Sequence, residues 1–214
     1  MLLIVSSSLM ANNKNNASCK MLLHPVNAKK IPLNTSQMIV VTSLGGSKAS
    51  VALCQKQATT WHRVLTPSFK AVIGKNGIAS IGRKKEGDLK TPAGIYPIGE
   101  AFGFYPLALS MDYKYITVDD KFIDDVNSKD YNVWVTGATD AKSYERMLIK
   151  PYMYGAVVNY NMHPTKAGAG SAIFIHLWQS PTTPTSGCIA MDKKHLLIML
   201  HWLDKKQHPH IMVR

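Results

Sequence analysis

The sequence predicts a mainly β domain with few helices, and three observations carry that expectation. Residues 37–79 alternate β-rich runs, Met38-Ile39-Val40-Val41-Thr42 and Ser50-Val51-Ala52-Leu53-Cys54, with the turn signals Gly45-Gly46 and Asn76-Gly77, which is the text of antiparallel sheet. Two later stretches, residues 171–178 and 188–191, alternate with a period of two. Helical spacing becomes clear only after Met191.

Taken in order, residues 1–11 have an apolar centre and small residues but no basic start, and read as a degenerate signal-like segment. Asn16-Ala17-Ser18-Cys19 offers a lipoprotein-type site, against which the polar run of residues 12–16 argues. The rest, to residue 36, reads as a polar linker, so the chain divides into residues 1–36 and a folded domain at residues 37–214. With 214 residues there is one domain's worth of chain and enough to bury a core. No stretch is long and apolar enough for a membrane span.

Charge is unevenly placed. The formal net charge is +12, and residues 1–85 hold twelve Lys or Arg and no Asp or Glu. Nucleic acid is a poor match as partner, because Lys48, Lys56, Arg63, Lys70 and Lys75 are spread through strand-like text without interleaved aromatics or a recognition motif. The three cysteines, Cys19, Cys54 and Cys188, lack zinc spacing and are too few for a disulfide scaffold, leaving a Cys19–Cys54 bridge open. No His-Glu-x-x-His run occurs among the eight histidines. Neither a metal nor an organic cofactor is expected.

Beyond residue 79, Thr91-Pro92-Ala93-Gly94 reads as a turn feeding a strand at residues 95–98. All nine tyrosines lie between Tyr96 and Tyr160, interspersed with Asp119, Asp120, Asp124, Asp125 and Asp130. Tyrosine combines apolar area with a hydroxyl, which suits a groove for a peptide as well as it suits a packed subdomain. Tyr152, Tyr154 and Tyr160, just ahead of the His176 stretch, are the groove candidates. Asp124-Asp125 is a poor acid–base pair, since adjacent side chains on an extended chain diverge.

In Ser171-Ala172-Ile173-Phe174-Ile175-His176-Leu177-Trp178, the period of two puts Phe174, His176 and Trp178 on one face. Cys188 and Ala190 share a face of the second stretch, so two neighbouring strands can present His176 and Cys188 to each other. A thiol nucleophile needs such a base, because the thiolate is the reactive form. A free cysteine is equally at home as a buried core residue. Gly187 favours chemistry: glycine admits close approach of a carbonyl, and the Gly187 and Cys188 N–H groups can form an oxyanion hole. Finally, Asp192 can cap a helix carrying Leu196, Leu197, Leu200 and Leu203, and residues 211–213 can return as a last strand.

These residues resemble a known family. Ile175-His176 followed by Ser186-Gly187-Cys188-Ile189 is similar to the catalytic signature of the L,D-transpeptidases, the YkuD-type domain. Lys85-Glu86-Gly87-Asp88, Lys90-Thr91-Pro92-Ala93-Gly94, Ser143-Tyr144-Glu145-Arg146-Met147, Val158-Asn159-Tyr160-Asn161 and Gly170-Ser171-Ala172-Ile173-Phe174 resemble segments of one subgroup, and the likeness covers roughly residues 38–214. The resemblance implies an α+β fold, mainly β: a mixed β-sheet or β-sandwich catalytic domain, here with an inserted Tyr-rich segment. It implies Cys188 as nucleophile, His176 as base and the Leu177 carbonyl as the group that orients the histidine. The chain departs from the pattern at Ser186, where the family usually carries histidine, and at Ala190, where it carries arginine; Ser186 and Gly187 remain as backbone of the nucleophile's turn. The implied activity is transpeptidation of peptidoglycan stem peptides outside the cytoplasm, periplasmic or secreted, through a Cys188 acyl-enzyme. L,D-carboxypeptidase trimming and a non-catalytic wall-binding module are the alternatives. A sortase-like enzyme fits less well, since Arg214 is the sole arginine after the cysteine.

Overall fold

The computed structural model describes residues 17–214, and its centre is a ten-stranded mixed sheet. Along the hydrogen-bonded path the order is β1 (Gln37–Ser43), β15 (His210–Val213), β7 (Gly94–Gly103), β12 (Tyr154–Val158), β13 (Phe174–Leu177), β14 (Ile189–Met191), β4 (Phe69–Val72), β2 (Lys48–Gln57) and β3 (Thr60–Arg63). Strand β8 (Tyr113–Tyr115) joins β7, and β1 pairs with β2 as well as with β15, so the sheet closes on itself. Closure removes the exposed edges at β1 and β2. The pairs β1–β2, β2–β3 and β2–β4 are antiparallel, while β1–β15 and β13–β14 are parallel, which makes the sheet mixed; β5 (Ile78–Ala79) and β6 (Thr91–Pro92) pair separately as a short parallel ladder.

Alternation along the strands sorts side chains into separate cores. Ile39, Val41, Val51, Leu53, Ile175 and Ile189 face one buried cluster, which the helix Lys193–Trp202 joins through Leu196, Met199 and Leu200. Asp192 caps that helix by accepting the His195 backbone N–H at 3.1 Å, satisfying one of its free first-turn donors.

The opposite faces of β1 and β2, carrying Met38, Val40, Ala52 and Cys54, are covered by the N-terminal segment. Here the structure differs from the polar linker read from the sequence. Residues 17–36 form the helical turns Ala17–Lys20 and Pro25–Ala28 around a 3-10 turn, Met21–Leu23, and bury Cys19, Leu22 and Ile31 against the sheet. The physical reason is that an apolar sheet face must be covered, and three widely spaced anchors suffice when one is covalent. Cys19 and Cys54 form a disulfide, so the Cys19 sulfur is not available as a lipoprotein attachment point. The signal-like residues 1–11 and the polar run 12–16 lie outside the described residues.

A second, three-stranded sheet of β10 (Trp134–Thr136), β9 (Asp120–Ile123) and β11 (Tyr144–Arg146) is built from the Tyr-rich stretch. It covers the outer face of β13, where Phe122 and Met147 pack with Phe102, Phe174 and Cys188. Asp120 knits this sheet together. Burial would raise its pKa, but it accepts hydrogen bonds from the Trp134 indole at 2.8 Å and the Thr136 and Thr117 hydroxyls at 2.5 and 2.8 Å, which hold it at about 2. That aspartate serves the fold of the three-stranded sheet.

Candidate active site

The parallel pairing of β13 with β14 places His176 opposite Ala190 and Ile175 opposite Ile189. Continuing that register, Cys188 falls beside Phe174, and the Phe174 N–H donates to the Cys188 Sγ at 3.3 Å. Phe174 and Cys188 pack under the three-stranded sheet, whereas Ile173, Ile175, Ile189 and Met191 face the closed core. One face of two adjacent strands therefore carries Cys188, His176 and Ala190, and all three line a single cleft of about 190 Å³ with Tyr152, Glu145 and Trp178.

The histidine is held in one orientation. Its Nδ1 lies 2.8 Å from the Leu177 carbonyl oxygen. A carbonyl can only accept, so Nδ1 carries the proton and Nε2 keeps its lone pair. Tyr152 packs edge-on against the ring, with centroids 5.1 Å apart. Burial disfavours the imidazolium and brings the His176 pKa down to about 4, with the Leu177 hydrogen bond opposing.

Cys188 is equally enclosed, at 6% exposure. Its S–H donates to the Ala172 carbonyl at 3.2 Å, and no Cys188–His176 hydrogen bond exists among the described residues. Burial first, then the nearby Glu145 carboxylate, raise the thiol well above the ordinary cysteine range; the Phe174 N–H and the Lys84 ammonium pull the other way. The resting pair is therefore a neutral thiol beside a neutral imidazole. Ala172, which accepts the thiol proton, sits in the left-handed region at φ 51°. Its N–H is fixed at 3.1 Å by the Asn132 side chain, from the connection between β9 and β10.

The turn before Cys188 is backed by the loop at residues 84–90. A Cβ on Gly187 would come within 3.1 Å of the Lys90 carbonyl and 3.3 Å of the Ile173 side chain, which is why glycine stands there. Lys84 is buried beside it and bonds Asp88 at 2.7 Å and the Lys85 carbonyl at 2.8 Å. Glu86 accepts hydrogen bonds from Tyr131 at 2.5 Å and Ser171 at 2.7 Å, tying this loop to the three-stranded sheet's β9–β10 connection and to the start of the His176 stretch. In the turn itself, the Gly187 N–H donates to the Thr185 hydroxyl oxygen at 3.2 Å, and that hydroxyl donates to the Cys188 carbonyl at 2.6 Å. The N–H expected to face an oxyanion is thus engaged within its own turn. Ser186 lines the cleft next to it.

Of the three groove tyrosines, the structure brings only Tyr152 to this cleft. Tyr154 takes the opposite parity on β12 and packs on the closed core, with the Lys193 ammonium 5.3 Å from its ring centroid. Tyr160 follows the end of β12, packs edge-on against Tyr96 and donates to the Ala169 carbonyl at 2.6 Å. Two residues of the site were not singled out from the sequence. Glu145 comes from β11 and accepts the Tyr152 hydroxyl, and Thr185 shapes the turn before Cys188. Glu145 belonged to a quoted segment, yet nothing local in it signals a cleft. Among the described residues no group of three or more His, Cys, Asp or Glu side chains forms a metal-ligand set.

Comparison with known proteins is consistent with this arrangement. The family model described as the YkuD L,D-transpeptidase catalytic domain matches residues 51–212. No curated protein and no solved structure matches the chain.

Proposed function

Since the chain belongs to the family of L,D-transpeptidase catalytic domains, whose substrates are peptidoglycan stem peptides, we propose that it transfers acyl groups between such peptides through a Cys188 thioester. The observation that carries this reading is the shared cleft. Cys188 and His176 lie on one face of two paired strands, with the histidine's protonated nitrogen tied to the Leu177 carbonyl and its other nitrogen free to accept. Sulfur attacks the amide carbonyl as Nε2 takes the thiol proton, and the imidazolium returns that proton to the departing D-amino acid nitrogen. An amine then attacks the thioester, His176 relays its proton, and the thiol is restored. Because the resting groups are both neutral, proton transfer accompanies attack rather than preceding it.

Hydrolysis is the second reading, and Ala190 favours it. This residue is fully buried opposite His176, and among the described residues no lysine or arginine lines the cleft to clamp a peptide carboxylate. With water as acceptor the protein would be an L,D-carboxypeptidase. The enclosed, protonated thiol favours a third, a wall-binding module without turnover. Action outside the cytoplasm follows from the family's substrate, and the Cys19–Cys54 disulfide supports an oxidising compartment for this chain. No helix among the described residues is long and apolar enough to cross a membrane. The domain responsible extends across residues 37–214, with residues 17–36 as its cover.

Tetrapeptide muropeptides incubated with the protein should yield a dimer lacking one terminal D-Ala. Tripeptide without dimer at high acceptor concentration would establish hydrolysis instead. Cys188→Ser should lower either activity by about a thousandfold or more while the fold is kept. Full activity in that variant would end the nucleophile assignment.

A further inference from the structure

Among the described residues, one charged side chain lines the Cys188–His176 cleft. Glu145 is the sole acid among the lining residues, no lysine or arginine joins it, and His176 is neutral. A cleft built to bind carboxylate groups would carry the opposite sign.

Glu145 reaches the cleft from β11, the edge of the three-stranded sheet. In the β9–β11 register it stands opposite Phe122, so it points with that residue toward the Phe174 and Cys188 face. One carboxylate oxygen accepts the Tyr152 hydroxyl. A carboxylate has about four acceptor positions, so a single hydroxyl leaves most of its capacity unused. A second carboxylate lies near it. Asp124, two residues along β9's path from Phe122, has its Oδ1 buried without a hydrogen-bond partner among the described residues, and its charge acts on Glu145. Asp125 differs: its carboxylate accepts the Lys142 and Asn127 backbone N–H groups at 2.9 and 3.0 Å. Glu145 and Asp124 are both half-buried, and carboxylates partly withdrawn from water without a cation gain from binding one.

We propose that Glu145 is the specificity residue of this cleft and seats a primary ammonium group of the peptide substrate beside Cys188. The reading rests on the stem-peptide function above and names the chemistry that its binding subsite recognises. Two groups could supply the ammonium: the side-chain amine of a diamino residue in the donor peptide, or the incoming acceptor amine. Either would make charge-assisted hydrogen bonds to Glu145 with Asp124 behind it. It also accounts for the small residue at position 190, since a donor held by its amine has no need of an arginine there.

The test separates the inference from the function it rests on. Glu145→Gln removes the charge while keeping an oxygen to accept the Tyr152 hydroxyl. In a Cys188→Ala background, where no chemistry intervenes, calorimetry measures binding of a stem tetrapeptide with a free side-chain amine and of the same peptide acetylated on that amine. The free-amine peptide should bind about tenfold more weakly after Glu145→Gln. The acetylated peptide should bind weakly and equally to both proteins. In a second arm, the acyl-enzyme formed by the Cys188 protein is mixed with increasing acceptor amine. A higher acceptor concentration for half-maximal transfer in Glu145→Gln, with unchanged donor binding, assigns the site to the acceptor. Unchanged thermal midpoints show that the variant folds. If free-amine and acetylated peptides bind alike, and neither donor binding nor acceptor dependence responds to Glu145→Gln, the inference is overturned. Peptide binding that depends on Glu145 without any acylation of Cys188 would instead sustain the inference and overturn the transferase reading.

Discussion

At the scale of single residues, the site is a protonated thiol and a neutral imidazole shut away together. The raised Cys188 pKa makes the thiolate scarce at neutral pH, so alkylation by iodoacetamide should be slow at pH 7. It should accelerate roughly tenfold per pH unit through pH 9. A plateau below pH 8 would show a thiolate already poised by His176. The histidine makes a separate prediction about stability. Its folded pKa of about 4 lies below the ordinary 6.5, so folding favours the neutral ring. This contribution is fully present above pH 6.5 and is lost as pH falls toward 4, amounting to about 3 kcal/mol over that window. Unfolding free energies followed across this range should therefore fall in the parent more steeply than in His176→Gln; parallel curves would contradict the assignment. Much at this scale was legible in the sequence. The alternation at residues 171–178 and 188–191 put His176 and Cys188 on matching faces, and the structure has them on one side of β13 and β14. The partner of the Gly187 N–H was not legible, because a hydroxyl two residues earlier captures it only in the folded turn.

Among the elements, the three-stranded sheet and the loop at residues 84–90 convert two strands into an enclosed cleft. Glu86 joins them through Tyr131 and Ser171, and Asn132 fixes the Ala172 backbone that receives the thiol proton. Composition marked the Tyr-rich stretch as a wall but did not say which tyrosine would face the site. Tyr154 and Tyr160 were expected at the groove; strand parity and a change of direction after β12 send them to the other core, and Tyr152 alone remains. Residues 17–36 show the other limit. Their polar text hides three anchors, of which Cys19 closes a disulfide to a cysteine 35 positions away. Loop closure of that length is worth about 3 to 4 kcal/mol. Replacing both cysteines with alanine should lower the unfolding free energy by about that amount and leave Cys188 acylation unchanged. Equal stability with and without the bridge would mean that Leu22 and Ile31 hold the N-terminal cover without help from the disulfide.

For the whole molecule, the mainly β class was legible from alternation and turns, while closure of the sheet was not, because it depends on β1 pairing with β15 from the far end of the chain. That long-range pairing brings the two halves of the sequence into one scaffold, with one outer face under the N-terminal segment and another under the three-stranded sheet. The second of these faces carries the Cys188–His176 cleft. The central claim is that this face carries an acyl-accepting thiol at Cys188. The most direct measurement is intact-protein mass spectrometry after mixing with a stem tetrapeptide, followed by peptide mapping. The account predicts a mass increase equal to the tripeptide acyl group, located on Cys188, together with released D-Ala and absent from a Cys188→Ser control. A folded protein that binds the tetrapeptide yet shows no adduct at any time from milliseconds to hours, and releases no D-Ala, would contradict it.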